Sequence, residues 1–530
     1  MEPLISWLND VIWSDYLVYL CLLAGLYFTI RTLFLQVLHL PDMFTSMARG
    51  AKSPDGISSF QSLMLSLAGR VGMGNIGGVA TAIAFGGPGA VFWMWAVAFL
   101  GSATSFVEST LGQIYKEKDQ DTGEYRGGPA YFIEKSFAHT KASGIFKVYA
   151  IVFAIITILA MSFFLPGVQA NGVSQAVDQA WGISPWISAI VLAGVLAAIV
   201  FGGIKRIATF AGMAVPFMAV LYILAAIIVM IVNFQQIPEV FGLIFRSAFD
   251  AEAAFSGMIG AAIAWGVKRG IYSNEAGQGT GPHAAAASEV SHPAKQGFVQ
   301  SFAVYVDTLF VCSATAFMII STGAYNVYRD ESIEGAVVHN GKNMPIDQEP
   351  GPAYVQSGLD SLAPGFGPTF VAIAIALFCF TTVLAYYYMA ETNFTYMNRY
   401  VKNPAVRRGI IWFLRILICI SVIYGAVSTS GAAWALGDIG VGSMAWLNIV
   451  AVLIMQGPAL KALKDYRAQK KAGKLFEDIT FDPRALGIAG ATFWENRIDG
   501  ITDRETVGHE AVDHEAVGKP TGDTTLDERR

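Results

Sequence analysis

Two short stretches hold most of the polar chemistry in this chain. In LAGRVGMGNIGGVATAI, residues 67–83, five glycines (Gly69, Gly72, Gly74, Gly77, Gly78) crowd around Arg70 and Asn75. In GVKRGIYSNEAGQGTGP, residues 266–282, five more surround Tyr272, Ser273, Asn274, Glu275, Gln278 and Thr280. A glycine weakens a helix by roughly 1 kcal/mol relative to alanine, so clusters of this density predict broken helices. A break exposes backbone N–H groups, which bind anions at helix ends, and backbone C=O groups, which bind small hard cations. The competing readings are bland: close helix packing for the first stretch, a re-entrant structural loop for the second. Asn75 argues against packing alone, because a seam of small residues needs no amide.

Further polar side chains interrupt apolar runs. Gln169 and Asn171 lie in FLPGVQAN, where a cap at the outer interface is the plain alternative. Thr381 and Thr382, in FCFTTVLAYYYMAE, can bond the carbonyl one turn back; facing the first break, the same adjacent hydroxyls offer neutral oxygens suited to sodium. Tyr386, Tyr387 and Tyr388 follow one turn later, as a selectivity wall or a packing seam. Arg70 has Glu108, Glu275, Asp307, Glu391 and Asp438 as candidate counter-ions. No Ser-His-Asp, zinc-ligand or phosphate-loop constellation occurs, and His283 reads as a satisfied helix-end histidine. No enzyme chemistry is expected.

The elements that must position these residues are membrane helices. Of 530 residues, 54% are hydrophobic and only 14% charged, against roughly a quarter charged in soluble domains. A net charge of -5 with no separate basic domain excludes a general nucleic-acid binder. Cys21, Cys312, Cys379 and Cys419 all sit in apolar runs and form no disulfide framework or metal spacing. With about 20 apolar residues per crossing, eleven spans are expected near 14–38, 57–84, 88–115, 145–170, 184–203, 207–233, 256–287, 296–322, 366–396, 406–428 and 434–457. The first reads as a retained span and not a signal peptide.

Lys and Arg concentrate in alternate connections, from Arg49 and Lys52 to Arg407 and Arg408, and in the run KALKDYRAQKKAGK. Basic residues favour the cytoplasm, which puts the amino terminus outside and the carboxy terminus inside. Residues 324–365 form a polar external loop that would act as a lid; the tail from 476, with His509 and His514 in a short HEAV repeat, reads as solvated. The breaks fall in the second and seventh spans, five apart, as in transporters built from two inverted five-helix units. The expected units are 1–56 with an extra first helix, 57–233 and 234–457 as the two repeats, and 458–530 as a cytoplasmic tail.

The stretch from FQSLMLSLAGRVGMGNIGGVATAI to VESTLGQIYKEKD, with YRGGPAYFIEK, VQAN, KRGIYSNEAGQGTGPHAAA and FTTVLAYYYMAE, resembles the alanine or glycine:cation symporter family over about residues 10–480. The resemblance implies a five-plus-five, leucine-transporter-like core and sodium-coupled import of small neutral amino acids across a bacterial or archaeal plasma membrane. It assigns the substrate carboxylate to Gly72, Met73, Gly74 and Asn75. The co-transported sodium falls to the carbonyls of Ala68, Val71 and Phe378 with the hydroxyls of Thr381 and Thr382. Gln169, Tyr272, Thr382 and Tyr386 would line the side-chain pocket. Several family members carry tryptophan where this chain has Tyr386, which leaves the preferred substrate open among alanine, glycine, serine and glutamine. The alternatives are a proton-coupled transporter, with Glu275 or Asp307 carrying the proton, and a channel or sensor on the same scaffold.

Overall fold

The computed structural model describes residues 2–49, 56–119, 122–200, 203–249, 258–329, 337–342 and 344–500. The described residues are mostly helical, with two short antiparallel ribbons, Glu117–Lys118 with Tyr125–Arg126 and Val327–Tyr328 with Val337–His339. Among the described residues eight helices are long and apolar enough to cross a membrane. Their outward faces expose Val148, Phe217, Ile231, Phe413 and Ile416. An apolar outer face suits lipid, because a helix satisfies its own backbone groups there.

These helices fall on eight of the expected spans, and the shorter apolar helix Pro185–Val200 falls on a ninth. The other two expected spans are the interrupted ones. The first runs Ser59–Arg70, breaks over 71–73, passes through a π-helical turn at Gly74–Gly78 and resumes as Val79–Gly86. A capping box starts it: Ser58 Oγ accepts from the Gln61 N–H, and Gln61 Oε1 accepts from the Ser58 N–H. The second runs Ile259–Asn274, stops at Glu275 in the left-handed region (φ 56°), turns through Gly277 and Gly279, also at positive φ, and resumes as Gly281–Ala287.

Between the breaks lies a polar interior. The helix Gly89–Ile114 buries Ser102, Thr104, Ser105, Glu108, Ser109, Thr110 and Gln113 along its second half. The helix pair Pro293–Val304 and Ser313–Thr322 is joined by a wide π-helical segment, Tyr305–Cys312, that no glycine or proline announces. At the basic end of the bundle the two broken spans are tied together. The Ile57 N–H donates to Ala287 O at 3.0 Å, and the Glu289 N–H donates to Ile57 O at 2.9 Å.

The tail corrects an expectation. Residues 476–500 are not a solvated extension: Ile479, Phe481, Ile488 and Trp494 are buried, and the Trp494 indole N–H donates to Gln113 O at 3.0 Å. Arg497 pairs with Glu289 at 2.6 Å, and Lys116 lies 4.4 Å from the Phe493 ring. Apolar side chains too sparse to show a period are buried by docking across the helix ends. The HEAV repeat lies outside the described residues. The described parts of 324–365 likewise pack down, with Asn326, Tyr328 and Tyr354 buried.

Candidate functional site

The first break presents one peptide unit to two neighbours. Val71 adopts an extended conformation (φ -79°, ψ 93°), which frees its carbonyl from the helix. On that side the Thr382 hydroxyl lies 3.1 Å from Val71 O and 2.9 Å from Phe378 O, while Thr381 Oγ1 donates to Phe378 O at 2.8 Å. The bonds to Phe378 are the local kind that threonine makes in any helix. The one to Val71 crosses to another helix and brings Val71, Phe378, Thr381 and Thr382 into one oxygen cluster. Ala68 is buried one turn earlier in the same broken span.

On the other side the Gly72 N–H donates to Asn75 Oδ1 at 2.9 Å, and the Met73 N–H donates to Gln169 Oε1 at 2.8 Å. A Cβ on Gly72 would stand 2.6 Å from both Gln169 Oε1 and Thr382 Oγ1, so the close approach requires glycine. The two amide oxygens thus satisfy the N–H groups that the break frees. A Cβ on Gly74 would meet Tyr272 Cδ1 at 3.1 Å and Ser273 Cα at 3.2 Å, which puts the two breaks in direct contact. Met73 packs its thioether between Gly77 and Gly172.

Asn75 joins both breaks to the π segment. Its Nδ2 donates to Asp307 Oδ1 at 2.6 Å, and Asp307 Oδ2 accepts from Ser273 Oγ and Thr308 Oγ1, each at 2.8 Å. Cys312 Sγ sits 3.1 Å from Ser273 Oγ. Sequence places Ser273 in the polar second break without giving it a partner, and Thr308, a lone hydroxyl in an apolar run, carries no signal of an inter-helix role.

Away from the basic end of the bundle the site is covered by an aromatic and charged layer. Tyr272 packs on Trp434, ring centroids 5.0 Å apart; the Arg269 guanidinium lies 4.2 Å over Trp434 and binds Asp438 at 2.7 and 3.1 Å. Lys268 reaches the same carboxylate at 2.9 Å. Asp438 therefore pairs with Arg269 and not with Arg70, and Glu391 lies 3.7 Å from Arg126. Arg70 stands nearest Glu275, at 4.0 Å. Asn171 donates to Gly425 O and Ser428 O and is structural. His283, bonded to Asn393 and Thr280, is satisfied. Tyr386 is fully buried one turn beyond Thr382, and its neighbours Ala385 and Met389 pack at Gly69.

A profile of the sodium:alanine symporter family matches residues 1–480. The chain belongs to that family. It is similar to a putative sodium/proton-dependent alanine carrier protein of Bacillus subtilis, YrbD, with 53% identity over 505 residues, 95% of this chain and all of that one. The probable sodium/glutamine symporter GlnT of the same organism is 41% identical over 89% of this chain and 92% of its own length. The sodium/alanine symporter AgcS of Methanococcus maripaludis is 36% identical over 88% and 98%. The chain is thus a multi-pass membrane transporter and not an enzyme. Its relatives carry different amino acids, so membership alone leaves the cargo open.

Proposed function

We propose that the chain imports a small neutral amino acid together with sodium by alternating access. One observation carries this reading: Val71 C=O and Gly72 N–H are the two ends of a single peptide unit, one facing the threonine hydroxyls and the other the amide oxygen of Asn75. A sodium ion held by Ala68, Val71, Phe378, Thr381 and Thr382 would pull electron density toward the Val71 oxygen. The Gly72 N–H then becomes a stronger donor to a carboxylate, and hydrogen bonds linked in this way reinforce one another. Ion and substrate bind better together than apart, which is what symport requires.

In this reading the carboxylate displaces the oxygens of Asn75 and Gln169 from the N–H groups of Gly72 and Met73, with Gly74 leaving room. Tyr272, Gln169 and Tyr386 bound the side chain. The chain crosses the plasma membrane eleven times, amino terminus outside, as two inverted five-helix repeats over 57–233 and 234–457 behind an extra first helix in 1–56, with 458–530 in the cytoplasm. Basic residues at one end of the bundle support that orientation. The Arg269–Asp438 pair with Trp434 closes the outer side, and the Ile57–Ser288 pairing closes the inner side. Uptake of labelled alanine into proteoliposomes, with and without an inward sodium gradient, tests the reading; accumulation indifferent to sodium would sink it.

A further inference from the structure

At the basic end of the bundle a cavity of about 740 Å³ opens between the ribbon strand Glu117–Lys118, the end of the helix Phe366–Asn398 and the first turns of the helix Pro404–Val427. Its walls differ in charge. On the ribbon side the carboxylates are answered by cations: Glu117 lies 2.8 Å from Lys135 and 3.7 Å from Arg399, and Arg126 lies 3.7 Å from Glu391 and 3.0 Å from Glu124. The opposite wall presents Arg407, Arg408 and Arg415, on a helix with no Asp or Glu in its sequence. Among the described residues that line the cavity, six cations face three carboxylates. Three guanidiniums within about two helical turns repel one another, and an anion lying between them relieves that repulsion. A phosphate suits them best, because the planar guanidinium fork matches it with two parallel hydrogen bonds.

The arginine wall runs on into an apolar surface. Trp412 lines the cavity beside Arg415, whose guanidinium lies 5.9 Å from the indole ring. Ile416 and Ile420 continue from Trp412 in steps of four residues, so the three side chains form one row along the helix, and each is more than half exposed. A tryptophan between a charged and an apolar surface is the mark of the membrane–water interface. A soluble anion would fill the cavity and leave the row bare. A molecule with a phosphate at one end and acyl chains at the other covers both. Arg415 is held ready for it, since its Nε donates to Tyr387 Oη at 3.1 Å.

We infer that this cavity binds the headgroup of an anionic phospholipid from the leaflet at the basic end of the bundle, the phosphate against Arg407, Arg408 and Arg415 and the acyl chains along Trp412, Ile416 and Ile420. Basic pockets between membrane helices hold anionic headgroups through this combination of charge and apolar contact. The inference needs only that the chain spans a bilayer; it stands whatever the cargo or the coupling ion. A zwitterionic lipid offers the same phosphate but brings an ammonium group. The carboxylates that would receive that ammonium are already paired with Lys135, Arg126 and Arg399, so the site selects for net negative charge.

The test is the thermal stability of the full-length protein in detergent micelles doped with phosphatidylglycerol, phosphatidylethanolamine or phosphatidylcholine, or supplied with inorganic phosphate. A ligand that binds only the folded state raises the melting midpoint, so phosphatidylglycerol should raise it by several degrees more than the other three. Arg407→Gln combined with Arg408→Gln should lose that increment. Lys464→Gln combined with Lys471→Gln, which removes as many charges from exposed positions on the helix Gly457–Lys471, should keep it. The site is overturned by an increment that either zwitterionic lipid matches, that the arginine variant retains, or that the lysine variant loses equally. An equal shift from inorganic phosphate overturns the lipid and makes the occupant a soluble anion. If the double arginine variant does not fold, Arg408→Gln alone, at an exposed position, must reduce the increment, and an undiminished one overturns the assignment.

Discussion

Thr382 and Gly72 meet across one peptide unit, and each supports a separate expectation. Thr382→Ala removes the hydroxyl that reaches Val71 O. An interaction with a charged partner is worth about 1.5–3 kcal/mol, so sodium affinity should fall on the order of tenfold to a hundredfold while the protein still folds. Sodium-dependence curves of alanine uptake measure this, and an unchanged half-saturation would make the hydroxyl structural. Gly72 serves the carboxylate side. If backbone N–H groups anchor the substrate, alanine methyl ester should compete at least tenfold more weakly than alanine, and equal competition would exclude carboxylate capture. Gly72→Ala, whose Cβ would stand 2.6 Å from Gln169 Oε1, should abolish uptake by both clash and blockage.

At the scale of elements, the breaks were legible and the π segment was not. Five glycines around Asn75, and five more around Tyr272 to Thr280, announce interrupted helices through their cost to helix propensity alone. The segment YVDTLFVC has no such mark. It widens where Asp307 turns to Ser273 and to Asn75, the latter a contact across more than 200 residues that no local pattern encodes. The same limit explains the charges: Arg70 and Asp438 are both visible in sequence as intramembrane ions, yet the partner of Asp438 is set by how the helix Ser430–Met455 packs on Ile259–Asn274. Gln169, Thr381 and Thr382 were found through chemistry that suits a ligand together with family resemblance. Thr308 has neither, and Ser273 is visible only as one polar residue of the second break. Selection among substrates belongs at this scale too. A pocket discriminates a methylene by only about 1–3 kcal/mol, so alanine, glycine and serine should compete in a shallow series. Tyr386→Trp should penalise the larger substrates first and Tyr386→Ala should admit them; competition profiles read this, and an unchanged ranking would return Tyr386 to the scaffold.

Across the whole molecule, the basic end is held by contacts that composition hides. Asp42 lies on a short helix outside the spans, Leu40–Ala48, with Lys470 at 2.6 Å, Tyr466 at 3.0 Å and His39 at 2.6 Å. Burial alone would raise its pKa, but hydrogen bonds from His39, Lys470 and Tyr466 outweigh that and hold it down to about 2. A lowered folded-state pKa adds stability that is complete above the unfolded value near 4 and is lost as pH falls through about 2. Asp42→Asn should therefore cost about 1–2 kcal/mol at neutral pH and flatten the acid limb of a melting-temperature profile; a profile parallel to wild type would place the stabilisation elsewhere. The tail was misread for the reverse reason: its few apolar residues are scattered, and Trp494 is buried only because the helix ends receive it.

Cys312 gives the molecule a built-in witness to its own motion. It is buried at the junction of Asn75 and Ser273, and of the other three cysteines Cys21 and Cys379 are also buried, with only Cys419 partly exposed. A membrane-impermeant alkylating reagent added from one face will reach Cys312 only while the bundle gapes on that face. Labelling rates from the two faces, with and without sodium and alanine, would time the opening of each door without introducing a foreign reporter.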